Sequence, residues 1–114
     1  MKNARRVWKV RIVKEYPEAH NHLIVGEVVE EGPVWVKLRC RTYHFGRSVE
    51  RPQDVKVGIL STRIIPWARV EIINELPEDF DYAGAKLVAD GKGNVSLVHG
   101  RYPCPIVTND KNAR

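Results

Sequence analysis

From Val34 to Phe45 the chain reads VWVKLRCRTYHF. It alternates with a period of two: Val34, Val36, Leu38 and Cys40 on one side, Trp35, Lys37, Arg39, Arg41, Tyr43 and Phe45 on the other. Successive side chains of an extended strand point to opposite faces, whereas a helix would scatter these residues around its circumference. One face is apolar and predicted to be core; the other is cationic and aromatic. The same period recurs in RVWKVRIV, where Trp8, Val10 and Ile12 oppose Lys9 and Arg11, and again in HLIVGEVVE and VKVGILSTRII. No segment keeps a helical period for about ten residues, so the chain is predicted to be all-β.

Turn chemistry divides the pattern. EEGP leads into the strand at Val34, GRSVERPQD is a polar loop, and Gly26 and Gly58 mark a bulge or sharp bend within their strands. Pro66 has no amide hydrogen and ends a ladder, so PWA is a single turn before the short strand RVEII. NELPEDFDYAG is an acidic connector, and Asp90-Gly91-Lys92-Gly93-Asn94 is the turn of a hairpin over residues 85–99. The two prolines and polar end of RYPCPIVTNDKNAR make residues 101–114 an extension, either loosely ordered or docked elsewhere. Residues 1–100 are thus read as one domain, a length that buries a single core without staples.

Composition narrows the class. Hydrophobic residues at 43% and charged residues at 29% are near globular averages, which excludes wholesale disorder. No run of about 18 apolar residues exists to cross a membrane as a helix, and the basic start lacks a secretory pattern, so a cytoplasmic protein is expected. Cys40 and Cys104 are too sparse for a disulfide scaffold and are expected to be reduced thiols. The net charge of +5 is uneven: residues 1–14 hold six bases and no acid, while residues 71–81 hold Glu71, Glu75, Glu78, Asp79 and Asp81 with no base. Such segments suit a polyanion, or an acidic protein partner, including the acidic segment of the same chain or of another copy.

The stretch from Leu23 to Leu76 resembles the SH3-like and Sm-like small barrels. The hairpin LIVGEVVEEGPVWVKLRCRTYHF, a loop, the long strand VKVGILSTRII, one turn at PWA and the closing strand RVEII carry this resemblance. It implies a small barrel of about five strongly bent strands, to which the hairpin 85–99 is added. It also implies self-association, because Sm-like subunits pair edge to edge through their last strands. The Sm base-binding motif is not recognisable in TYHFGRSVE, and Thr62-Arg63-Ile64-Ile65-Pro66 stands where the closing Ile-Arg-Gly signature would be, so no RNA-binding residue is carried over.

The residues themselves suggest where a ligand would sit. Trp35, Tyr43 and Phe45 are predicted stacking platforms, with Lys37, Arg39 and Arg41 as phosphate contacts and Arg5 and Arg6 adding phosphate neutralisation. Aromatics interleaved with cations on a sheet are the usual means of holding single-stranded nucleic acid, RNA being favoured here. The opposing reading is that the aromatics close the ends of the barrel and the cations are solvated. Trp67 and Arg69 are candidates for a contact between copies, and otherwise Trp67 is core. His20-Asn21-His22 matches no standard zinc spacing, so no metal is expected; nor is a cofactor, since no phosphate-cradling glycine loop or catalytic signature occurs. A non-enzymatic nucleic-acid-binding module is therefore expected, with a structural or protein-interaction module as the competitor.

Overall fold

A computed structural model describes residues 5–16 and 19–108. The start of the basic arm, Met1 to Ala4, and the end of the extension, residues 109–114, lie outside the described residues. The described chain forms nine strands in two antiparallel sheets, with two short 3-10 turns and no α-helix among them.

The first sheet is built from β1 (Val7–Ile12), β2 (Asn21–Glu31), β3 (Trp35–Phe45), β4 (Lys56–Val57), β5 (Ser61–Pro66) and β6 (Val70–Leu76). The alternating segments give β1, β2 and β3, joined in an antiparallel meander with Val10 opposite Ile24 and Gly26 opposite Cys40. The long strand expected over VKVGILSTRII is broken at residues 58–60 into β4 and β5, which run beside the end and the beginning of β3 respectively. Gly26 does not make the bulge; the register of β2 shifts between Val28 and Glu30. Gly26 is instead a point of close approach, where a Cβ would run into the Arg39 carbonyl and Cys40.

The strand order β4-β3-β2-β1-β6, with β5 on β3, leaves β5 and β6 on opposite edges. The sheet is therefore strongly bent and open, not the closed barrel expected. Its open side is spanned by the 3-10 turn Trp67–Arg69, where PWA predicts one turn. Val13 donates its amide to the Arg69 carbonyl at 2.8 Å, and Trp67 donates its amide to the Val34 carbonyl at 3.0 Å. Each bond continues the ladder on its own side, β3–β5 at Val34 and β1–β6 at Val13, so the turn joins the two edge strands through the chain without pairing them.

The concave face encloses Trp8, Val10, Ile12, Ile24, Val36, Leu38, Cys40 and Ile65. The apolar side of β3 is thus core at Val36, Leu38 and Cys40, as its alternation predicts, but Val34, expected with them, lies in the bend before the strand and is 68% exposed. The second sheet, β7 (Lys86–Ala89), β8 (Val95–His99) and β9 (Tyr102–Val107), lies against the other face. There Val95, Leu97, Cys104 and Ile106 meet Val7, Leu23, Val25, Tyr43 and Phe45, with Phe80 and Tyr82 of the acidic connector between. The hairpin at residues 85–99 is present, but the extension supplies a third strand: Pro103 and Pro105 face outward while Cys104 and Ile106 are buried. A sheet covered on both sides explains why consecutive residues Leu23, Ile24 and Val25 are all buried.

Candidate nucleic-acid interface

The second sheet divides the cationic and aromatic face of β3. Tyr43 and Phe45 are 1% and 5% exposed and belong to the core between the sheets, so neither offers a ring to a base. Alternation assigns these two to a side of the strand, and the added sheet then covers that side. Burial also pushes the Tyr43 phenol up to about 12, so it stays protonated and neutral at any physiological pH.

Arg41 lies at the margin of the covered area and is spent within the fold. Its Nε donates to the Ala83 carbonyl at 2.9 Å and its Nη1 to the Gly58 carbonyl at 3.2 Å, closing two orphan acceptors where the connector and the β4–β5 bend meet the sheet. A groove of about 620 Å³ runs beside it, lined by Tyr43, Val55, Ala83, Lys86 and Leu87 among others. With the Arg41 guanidinium turned to carbonyls, the groove is mostly apolar. Arg39 is exposed and donates from Nη1 to the Tyr82 hydroxyl at 3.4 Å, and that hydroxyl donates to Glu27 at 2.9 Å. Burial, and then the bond to Glu27, raise the Tyr82 phenol above its ordinary range.

The uncovered half of the face begins at Trp35 and Lys37. The Trp35 ring lies over Gly32, where a Cβ would come within 2.5 Å of the indole, and it remains partly exposed. Lys37, Arg5 and Arg6 approach Glu30, Glu27 and Glu31 at 3.8, 3.3 and 2.8 Å. Arg5 also lies over the Tyr82 ring and Arg6 over the Trp8 ring. Exposed pairs of this kind contribute only about 0–1 kcal/mol each, so a phosphate can compete for these cations, but three carboxylates stand among them. Within the chain, the cations' partners are thus mainly the β2 glutamates; of the acidic segment 71–81, Glu71 alone among the described residues takes a salt bridge, with Arg11.

Trp67 and Arg69 are also engaged internally. The Trp67 indole donates to the Gly32 carbonyl at 3.0 Å and tilts against Trp8 at 6.4 Å, and Arg69 bonds Glu15 at 2.9 Å. This favours the core reading of Trp67 over the interface reading.

A second cationic locus, absent from the sequence prediction, sits at the mouth of the concave face. His22 of β2 and His44 of β3 are opposite each other in register and stack at 4.0 Å with 28° between their rings. Arg63 of the edge strand β5 and Arg69 of the 3-10 turn converge on His22 across a cavity of about 240 Å³, whose apolar wall includes Ile12, Ile24 and Ile65. The His22 imidazole is pushed down to about 4 by burial, then by His44, Arg63 and Arg69; His44 is lowered by burial, then by His20, Arg63 and Lys56. Every charged group acting on either ring is thus a base. Arg63 has no hydrogen-bond or ion-pair partner among the described residues, and His22 Nε2 is buried without a hydrogen-bond partner. The His-x-His spacing and Arg63, the lone charge in the strand STRIIP, were the available signals. Their convergence depends on the bend of the sheet, which no spacing encodes.

Among the described residues no group of three or more His, Cys, Asp or Glu converges to hold a metal. Cys40 and Cys104 are free, lie in separate cores on opposite faces, and burial raises both thiols to about 11. No helix among the described residues is long and apolar enough to cross a membrane. No family model matches the chain, and no curated protein or solved structure matches it.

Proposed function

We propose that the protein is a non-enzymatic nucleic-acid-binding module that takes single-stranded RNA along the edge strand β5. The observation that carries this reading is the acid-poor cationic locus at the mouth of the concave face. There Arg63, Lys56 and Arg69 surround the stacked His22 and His44, with Glu15 as the carboxylate bonded to Arg69. A backbone carrying one charge per nucleotide is drawn to such a field, and release of its counterions makes binding salt-dependent. From this locus the path crosses the unpaired outer edge of β5 to the opposite face of the sheet, where Thr62 and Ile64 lie beside Lys37, Arg39 and the partly exposed Trp35, their register partners and neighbours on β3. Stacking on one exposed indole contributes about 1–3 kcal/mol and favours unpaired bases over a duplex.

The test is fluorescence anisotropy with a labelled single-stranded RNA, and with DNA of the same sequence, at 50 and 200 mM salt. Wild type is expected to bind at low salt and to weaken steeply at high salt. Arg63→Glu with Lys56→Glu is expected to abolish binding, and Lys86→Glu, on the second sheet, to leave it within a few-fold. Binding that survives the double reversal would overturn the reading, as would no binding by wild type.

A second reading, self-association, is favoured by a separate observation. The outer edges of β5 and β6 carry no strand partner among the described residues, and Ile64 and Ile72 on them are 60% and 50% exposed. Open strand edges with apolar side chains invite pairing with another copy. Light scattering on the purified protein decides it: a mass twice that of the chain or more, lost on Ile72→Lys, supports pairing, and a monomer at 100 μM excludes it.

A further inference from the structure

The cavity at the mouth of the concave face has more definition than an electrostatic path requires. Its volume of about 240 Å³ is smaller than the ~300–1,000 Å³ that encloses a drug-sized ligand, so it suits a ligand no larger than one pyrimidine nucleotide. Its polar elements are Arg63, Arg69 and His22, and its wall is isoleucine. Two guanidiniums from different elements suit a tetrahedral oxyanion, each presenting N–H groups in a planar fork. Arg69 is held in position by Glu15 and the Val13 carbonyl, while Arg63 is free among the described residues to close over a ligand. On the same cavity, the buried Nε2 of His22 has no hydrogen-bond partner, and an unpaired buried polar atom of this kind costs about 1–3 kcal/mol until something satisfies it.

The geometry points to a site for a single nucleotide unit, its phosphate held between Arg63 and Arg69 and hydrogen-bonded to His22, its ring against Ile24 and Ile65. This rests on the nucleic-acid reading for its biological source, since the same unit can come from a strand or from a free mononucleotide. The stacked His44 restrains the plane of the His22 ring. The isoleucine wall makes no hydrogen bonds, so base identity is read weakly here and the phosphate dominates.

The test is an NMR titration of the full chain, following the His22 imidazole and the Ile24 and Ile65 methyl resonances. Uridine 5′-monophosphate, uridine, inorganic phosphate and a 5′-phosphorylated oligouridine are added in turn at constant ionic strength. The monophosphate is expected to shift all three residues saturably, inorganic phosphate to shift His22 alone, and uridine to shift none. Arg63→Ala is expected to weaken the monophosphate about tenfold or more, as loss of a charged hydrogen bond does. His22→Gln keeps a hydrogen-bonding side chain and is expected to weaken it less.

Equal shifts from uridine and its monophosphate, or shifts unchanged by Arg63→Ala, would overturn the inference. RNA binding in the anisotropy assay with no monophosphate shift at His22 removes the pocket and leaves the nucleic-acid reading standing. Saturable monophosphate binding without RNA binding does the reverse, and assigns the site to free mononucleotides. An oligouridine that shifts His22 while the free monophosphate does not also overturns the inference, because the site would then need the strand.

Discussion

Gly26 shows how much one residue of this sequence decides. It lies opposite both Trp8 and Cys40 in the middle of the sheet, and a Cβ there would collide with the Arg39 carbonyl and with Cys40. Backbone on one side and a buried strand on the other leave little room to yield. Gly26→Ala is therefore expected to lower the unfolding free energy by about 1–3 kcal/mol, the usual cost of overpacking, read as a lower urea midpoint. His22 sets a pH dependence of a different kind. Folding holds its imidazole at about 4, below the ordinary 6.5, so as the pH falls the unfolded chain takes up this proton first. Stability present above pH 6.5 is therefore lost progressively as the pH falls from 6.5 to about 4, and His22 adds no further loss below that. After discounting for the partly exposed ring, this is about 1 kcal/mol, or a few degrees in Tm. Thermal melts at pH 7 and 4.5 are expected to differ less for His22→Gln than for wild type; an equal difference would show that the ring is not the titrating group.

At the scale of elements, strand identity follows from local pattern and coverage does not. Val36, Leu38 and Cys40 are core because alternation puts them on one side of β3. Trp35, Lys37, Arg39, Arg41, Tyr43 and Phe45 share the other side as alternation requires, yet they divide into exposed and buried halves because a second sheet stops midway along them. Where one sheet ends over another is fixed by long-range packing, which leaves no mark on a strand's own period. The strand β9 was hidden for another reason. Prolines argue against a strand wherever an amide must be donated, but β9 is an edge strand, and Pro103 and Pro105 face outward between the buried Cys104 and Ile106. A truncation after Arg101 is thus expected to expose Val95 and Leu97 of β8 and to bind a hydrophobic dye; Ile106→Ala, a milder change, is expected to cost about 2–5 kcal/mol in urea unfolding. Unaltered unfolding in both variants would mean that β9 adds nothing to the core.

For the whole molecule, the two faces of the first sheet carry different charge arrangements. The face under the second sheet uses its aromatics and Arg41 to hold the fold, whereas the mouth of the concave face gathers cations whose charges no network of acids offsets. Because Arg41 caps carbonyls between the sheets, Arg41→Met is expected to destabilise the protein by about 1–3 kcal/mol in urea unfolding, in contrast to Arg63→Ala, which is expected to leave the midpoint within about 0.5 kcal/mol. An amide NMR footprint of the protein titrated with a short single-stranded RNA at low salt tests the proposed β5 path most directly. Shifts are expected along β5, at His22, His44, Lys56 and Arg69, and at Trp35 and Lys37, with the second sheet silent. Shifts centred on β7–β9 or on the groove beside Arg41, or no shifts at all, would contradict it.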